Sequence, residues 1–285
     1  MSTLGHLRRT LREHLGSVNR EIRVALTPIP RPKAWAFLIG CYNSGTTLLA
    51  SLLGAHPEIS ALHTEGQFLT DQFQADYELG LGRMWHLRED RFRLTESDAG
   101  PDADRIKKEW GVRLDRSRPV LLEKSPPNTP RTRWLQEHFE NAHFVSIVRN
   151  GYAVAEGIVR KGEPHHRAGG WTIEEAAHQW RRSIEVVRED APHLHRLHWM
   201  RYEDLASAPV QTLTAITEFL GVGPYLEEYL PGTVEVHERE QAVVDLNAES
   251  IRRLTPKYIE TINRVASDCL TAFDYPILDP SVPEG

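Results

Sequence analysis

The sequence predicts an α/β protein: a central parallel β-sheet flanked by helices in three layers, with a phosphate-loop-like nucleotide-binding architecture. Three observations carry that expectation. Short apolar runs at 34–40, 120–122, 143–148 and 197–201 alternate with amphipathic stretches, and strands that alternate with helices pair in parallel, because each crossover returns the chain to the same end of the sheet. The run Ala34-Trp35-Ala36-Phe37-Leu38-Ile39-Gly40 is continuously apolar, as in a strand covered on both faces. A turn rich in Gly and hydroxyl residues follows it, and then a helical pattern. That is the strand–turn–helix context in which free backbone N–H groups and the helix dipole meet an anion.

Length and composition agree. The chain has 285 residues, 40% hydrophobic and 26% charged, which suits one large domain with enough core to need no covalent staples. Cys41 and Cys269 are the only cysteines, so one disulfide is the maximum. The formal net charge of −6 argues against nucleic-acid binding by bulk charge, which needs a basic face, but leaves room for a small basic pocket. No apolar run approaches the roughly 20 residues of a membrane span. With so few cysteines, a cytoplasmic location is expected.

The elements follow in order. Leu4, Leu7, Leu11, Leu15, Val18 and Ile22 fall at helical spacing, which makes residues 1–30 an amphipathic helix. Such a helix docks on its own domain, pairs with a second copy to give a homodimer, or lies on a membrane surface. Pro28, Pro30 and Pro32 end it, and a single domain spans 34–285. After the first strand, Leu48, Leu49, Leu52 and Leu53 mark a helix. Residues 66–118 are charged and irregular, with helical pieces at 67–79 and 102–110, and read as a lid or insertion. Phe68, Phe73, Tyr77, Met84 and Trp85 in it either line an apolar cleft or pack the lid. A strand at 120–122 precedes a helix carrying Trp134, Leu135 and Phe139; the strand 143–148 turns at Arg149-Asn150-Gly151 into a helix towards Lys161. Thr172 and Glu175 form a capping box for a long helix to about residue 187. A strand at 197–201, a helix over 209–220 stopped by Gly221, and a last helix from Pro256 to Phe273 complete the chain.

The candidate anion loop is Gly40-Cys41-Tyr42-Asn43-Ser44-Gly45-Thr46-Thr47-Leu48. Gly40 and Gly45 have the glycine spacing of a nucleoside-triphosphate loop, but Thr46 stands where that pattern has Lys. This speaks against an ordinary kinase. The alternative is an ordinary helix start with no ligand.

Ser44-Gly45-Thr46-Thr47-Leu48-Leu49, with Leu52-Leu53 and His56-Pro57, resembles the 5′-phosphosulfate loop of sulfotransferases that use 3′-phosphoadenosine 5′-phosphosulfate (PAPS). Four further segments match in order: Glu123-Lys124-Ser125-Pro126; Phe144 to Gly151 with Arg149 and Asn150; Arg201-Tyr202-Glu203-Asp204-Leu205 with Phe219-Leu220-Gly221; and Phe273-Asp274-Tyr275-Pro276. The resemblance covers about 35 to 276 and is nearest the tyrosylprotein-type and related bacterial enzymes.

The resemblance implies PAPS as sulfuryl donor, its bisphosphate PAP as product, no metal, and two anion sites. Asn43, Ser44, Gly45, Thr46 and Thr47 would hold the 5′ end; Arg149 and Arg160 would hold the 3′-phosphate, near Gly157, where the family has Ser. Most members carry Lys or Arg at the position of Asn43, which leaves Lys124 as the cation for the leaving group. Glu65, nine residues after His56, matches the catalytic base. His63 is the alternative base and would face the same way in an extended stretch. Tyr202 contacts the nucleotide or simply packs. Asn247, Arg252 and Arg253 lie in a region that reaches the 3′-phosphate. His56 reads as structural. The acceptor would be a hydroxyl, or an amine, on a small molecule, sugar or peptide. A small-molecule kinase is one alternative; a catalytically weakened nucleotide-binding module, favoured by Asn43 and Gly157, is another. His193, His195 and His198 with His165-His166 lack the companions of a convincing metal set.

Overall fold

The structure, a computed structural model, describes residues 19–162, 170–236, 239–241 and 243–281. Five parallel strands form the sheet: β1 Ala34–Gly40, β2 Ile59–Ala61, β3 Val120–Lys124, β4 Ala142–Val148 and β5 Leu197–Arg201, in the order β2-β3-β1-β4-β5. All four expected strands are present. β3 runs on past its apolar stretch to Lys124 because its register with β1 continues through Leu38↔Lys124. β2 was not expected: it is a three-residue edge strand, too short to show a pattern. A separate antiparallel pair, β6 Val234–Val236 and β7 Arg239–Gln241, was likewise not foreseen.

The helices are α1 Thr46–Gly54, α2 Ala103–Gly111, α3 Thr132–His138, α4 Gly151–Lys161, α5 Ile173–Asp190, α6 Tyr202–Ser207, α7 Pro209–Phe219, α8 Asn247–Ile251 and α9 Pro256–Ala272, with one short turn of helix at Glu89–Phe92. Alternation along β1 separates the layers. Trp35, Phe37 and Ile39 face one core with Trp134, Trp180, Ile184 and Ile262; Ala34, Ala36 and Leu38 face the other with Leu49, Leu52, Leu213 and Ile216. Every residue of β1 is buried, as its continuous apolar run requires.

The helical reading of 67–79 is corrected. That segment holds only two single turns of 3-10 helix, Gly66–Phe68 and Tyr77–Leu79. The second is capped by the Asp76 carboxylate and stopped by Gly80 in the left-handed region at φ 67°, so it does not propagate. The second expected helix forms as α2, with Asp102 accepting from the Arg105 N–H at 3.0 Å. Phe73, Met84 and Trp85 are buried in the same core as the sheet, whereas Phe68 and Tyr77 stay about half exposed, at 48% and 50%.

At the N-terminal side, residues 19–26 are helical. Val24 is buried there and Arg20 donates to the Leu69 carbonyl at 2.8 Å, so this piece docks on its own domain. Leu4 to Val18 lie outside the described residues. No helix among the described residues is long and apolar enough to cross a membrane.

Candidate functional site

The chain leaves β1 for β2 and β3 on one side and later for β4 and β5 on the other. In such a sheet the crevice opens at the carboxyl ends of the strands where the order reverses. Those ends carry Lys124 on β3, the loop 41–45 after β1, and Arg149 after β4.

The loop is fixed by sterics. Gly40 has φ 140°, and a Cβ there would sit 2.5 Å from the Ile147 carbonyl oxygen. Thr129 clamps the same residue: its Oγ accepts from Gly40 N–H at 3.0 Å and donates to Gly40 C=O at 3.1 Å. Gly45 turns at φ 97° beneath the Tyr202 ring, which a Cβ would meet at 2.8 Å. Asn43 takes φ 61°, a conformation Asn tolerates better than most residues. α1 then starts at Thr46 with no side chain capping its first N–H groups. Ser44 and Thr46 are buried, and the Asn43 Nδ2 and Ser44 Oγ atoms are buried with no partner among the described residues. Buried donors without acceptors are costly, so this donor set fits an anion. Cys41 is buried in the loop, and burial pushes its thiol up to about 12; it is no nucleophile at neutral pH.

Glu65 and Lys124 meet beside the loop. Lys124 Nζ lies 2.9 Å from Glu65 Oε1, and Gln67 Nε2 donates to Glu65 Oε2 at 2.6 Å. Glu123 is not the partner of Lys124: strand alternation sends it into the interior, fully buried. There it accepts from Gly66 N–H at 2.8 Å, from Asn128 Nδ2 at 2.7 Å and from Ser125 Oγ. Burial raises the Glu123 pKa above the usual carboxylate range. Trp110 Nε1 holds the Gly66 carbonyl at 3.0 Å. This buried network sets the turn that presents Glu65.

Thr46, Thr47, Glu65, Phe68, Tyr77 and Arg83 line one cleft. A second cleft lies across Lys124 and Thr47 and contains Ser51, His63 and Arg118. The chain bends at residues 63 and 64. His63 is therefore exposed in the second cleft and does not share the cleft that Glu65 lines, contrary to the extended reading.

Arg149 is held from four sides. It donates to Asn247 Oδ1 at 2.7 Å and to the Asn43 carbonyl at 3.1 Å, its guanidinium lies 4.2 Å above the Tyr202 ring, and Trp180 Nε1 donates to its carbonyl at 3.0 Å. Burial lowers its pKa, opposed by Tyr202 and Glu203. Tyr202 itself is buried and donates to the Val244 carbonyl at 2.8 Å, with its ring against Arg149. Glu203 organises the neighbourhood, accepting from Asn247 Nδ2 at 2.6 Å, Asn150 N–H at 3.0 Å and the Tyr275 hydroxyl at 2.9 Å. Arg160 is 45% exposed and binds Glu156 at 2.7 Å; Arg253 approaches the same carboxylate at 3.9 Å. Gly157 faces Asn43, with 3.4 Å between its missing Cβ and the Asn43 side chain. His56 is buried against Tyr225 and Tyr229, a structural role.

Sequence reasoning missed three members of this constellation. Glu123 and Glu203 sat inside recognised segments without a role. Arg83 gave no signal: it lies in the irregular stretch and donates to Asn43 Oδ1 at 3.0 Å. Among the described residues no group of three or more His, Cys, Asp or Glu is placed to hold a metal; His165 and His166 lie outside them.

Sheet order and loop define the class: an α/β protein of the phosphate-loop kind, with a glycine-bearing loop at the carboxyl end of its central strand. The chain belongs to the sulfotransferase family, whose sequence profile matches residues 36–226. It is 22% identical over 243 residues to protein-tyrosine sulfotransferase A of Caenorhabditis elegans, covering 82% of this chain and 60% of that protein. It is 24% identical over 188 residues to the Drosophila melanogaster protein-tyrosine sulfotransferase, covering 65% of this chain and 38% of that one. The chain thus spans less than two thirds of the length of these relatives. The sulfotransferase domain of the Synechococcus PCC 7002 olefin synthase has a similar fold, with TM-score 0.57 at 21% identity over 87% of this chain and 97% of that one. So does the sulfotransferase domain from the curacin biosynthetic pathway, with TM-score 0.58 at 20% identity over 87% and 100%.

Proposed function

We propose that this protein transfers a sulfuryl group from PAPS to an acceptor hydroxyl, with Glu65 as general base and Lys124 as the cation at the leaving group. The observation that carries the reading is the contact between Lys124 and Glu65 at 2.9 Å, beside a loop whose buried donors Asn43 Nδ2 and Ser44 Oγ lack acceptors. The loop 43–47 would take the 5′ end of the donor, and Arg149 with Asn247 the 3′-phosphate. Arg160 and the glycine surface at Gly157 would border that second site.

When bound, PAPS supplies an activated sulfuryl group: the acceptor oxygen bonds sulfur, and the sulfur–oxygen bond to the 5′-phosphate breaks with its electron pair remaining on the phosphate, giving a sulfate ester and PAP. Glu65 takes the acceptor's proton on a carboxylate oxygen. Lys124 leaves Glu65 to stabilise the charge that grows on the departing phosphate oxygen, where a positioned cation is most effective. The loop N–H groups and hydroxyls hold the donor in line. Phe68 and Tyr77, the two exposed aromatics of this cleft, would border an acceptor that is a small molecule, a sugar or a peptide. His63 is the alternative base, in the cleft it shares with Lys124.

Two measurements test the reading. Thermal unfolding with PAP and with ATP should show stabilisation by PAP; stabilisation by ATP alone would sink it. Transfer of labelled sulfate from PAPS to a panel of phenols, sugars and tyrosine peptides should give at least one labelled product. Tight PAP binding with no transfer to any acceptor favours the weakened binding module instead, in line with the uncharged Asn43.

A further inference from the structure

We propose that Arg83 supplies the positive charge that the phosphate loop itself lacks, reaching the 5′ end of the nucleotide from the cleft wall with Asn43 as its anchor. This rests on the PAPS reading above.

The stretch Cys41 to Thr47 contains no Lys, Arg or His, yet the 5′-phosphosulfate it would hold is multiply anionic. A helix N-terminus offers only about half an elementary charge, and Lys124 already has a carboxylate, Glu65, at 2.9 Å. Arg83 is partly buried and lines the cleft with Thr46, Thr47 and Glu65. Among the described residues its guanidinium donates to Asn43 Oδ1 at 3.0 Å, a neutral acceptor rather than a carboxylate.

The backbone that delivers Arg83 is held in place. Arg83 has φ 71°, a left-handed conformation that costs a long side chain free energy and persists only where its surroundings enforce it. Its N–H donates to Asp76 Oδ2 at 2.8 Å, the same oxygen that accepts from the Tyr42 hydroxyl at 2.7 Å. One buried carboxylate thus ties the Arg83 turn to the phosphate loop. On the flanks, Trp171 Nε1 holds the Gly82 carbonyl at 2.9 Å, and Met84 is fully buried.

Asn43 suits the role of anchor. Its Oδ1 accepts from Arg83, while its buried Nδ2 has no partner among the described residues and stays available to an oxyanion. A lysine at position 43 would have no acceptor for the guanidinium. A Cβ at Gly157 would come within 3.4 Å of the Asn43 amide carbon and 3.5 Å of its nitrogen. Gly157, the other departure from the family pattern, thus lies against the Asn43 side chain at ordinary contact distance.

Calorimetric titration with PAP and with adenosine 3′-phosphate, which lacks the 5′-phosphate, tests this on the full chain. Wild-type protein should prefer PAP. Arg83→Ala and Arg83→Gln should each weaken PAP by about 10- to 100-fold, the range for losing a hydrogen-bonded charge. Binding of adenosine 3′-phosphate should stay within about twofold, which also shows that the variants are folded, and Arg83→Lys should recover part of the PAP affinity. Unchanged PAP binding in Arg83→Ala overturns the proposal, as does full affinity in the uncharged Arg83→Gln, or an equal loss for both nucleotides. Wild-type protein that binds neither nucleotide instead removes the PAPS reading on which the proposal stands.

Discussion

Glu65 has both carboxylate oxygens engaged, one by Lys124 at 2.9 Å and one by Gln67 at 2.6 Å. Glu65→Gln keeps the shape and an acceptor oxygen but cannot take a proton. It should lower turnover with PAPS by about 10² to 10⁴-fold, with PAP affinity within about twofold of wild type. Single-turnover kinetics and PAP titration measure the two quantities. Wild-type turnover in this variant would move the base elsewhere, with His63→Ala the next variant to assay. Glu65 and Lys124 were legible in the sequence because each lies in a short segment of recognisable spacing. Arg83 was not, because its placement depends on a left-handed turn at a residue type that rarely adopts one. The role of Glu123 was hidden for another reason: its neighbour Lys124 invites a local ion pair, and only alternation along β3, with one side chain in the core and the next at the cleft, separates them.

At the scale of elements, the signals that worked were local. Thr172 accepts from Glu175 N–H at 3.2 Å, and Glu175 Oε2 accepts from Thr172 N–H at 2.9 Å, the reciprocal pair read from the sequence. Thr172→Ala removes one of these bonds at the start of α5, a helix packed between α4 and α9. The expected loss is about 1 kcal/mol of stability, or about 2 °C in Tm for a domain of this size, checked by calorimetry. An unchanged Tm would mean that packing alone holds the helix end. The stretch 67–79 misled because its apolar residues serve different surroundings: Phe73 packs in the core, Phe68 and Tyr77 face the cleft, and no single helical face exists. β2 was invisible because three residues carry no period; its place comes from pairing Ile59↔Val120 on the edge of β3 away from β1.

Across the whole molecule, cations distant in sequence come within electrostatic reach of one another: Arg83 and Arg149 both hydrogen-bond Asn43, and Lys161 lies in the field of Arg83, Arg149 and Arg160. Loss of solvation lowers the Lys161 pKa to about 8, followed by the charges of Arg83, Arg160 and Arg149 and opposed by Glu156; the residue is nevertheless exposed, which weakens the desolvation and leaves the neighbouring cations as the firmer cause. A bound phosphate would favour the ammonium and raise that pKa again. The sign follows: binding is strongest where Lys161 is already protonated, below pH about 8, and weakens as pH rises through that value, because the complex must then take up a proton. Titrations of PAP at pH 7 and pH 9, in buffers of different ionisation enthalpy, should show weaker binding and proton uptake at the higher pH. Equal affinity without proton uptake would place Lys161 away from the anion.

The sequence by itself determined the α/β class, the order of the principal strands and helices, and the loop after β1, since apolar periodicity, glycine placement and capping are written in neighbouring residues. Only the tertiary structure decided which side chains meet. Glu65 and Lys124 are 59 residues apart, Asn43 and Arg83 40 apart, and Arg149 and Asn247 98 apart. Their contacts depend on sheet order, on the register that carries β3 through to Lys124, and on turns held open by buried carboxylates, which arise from packing between distant segments rather than from any local pattern.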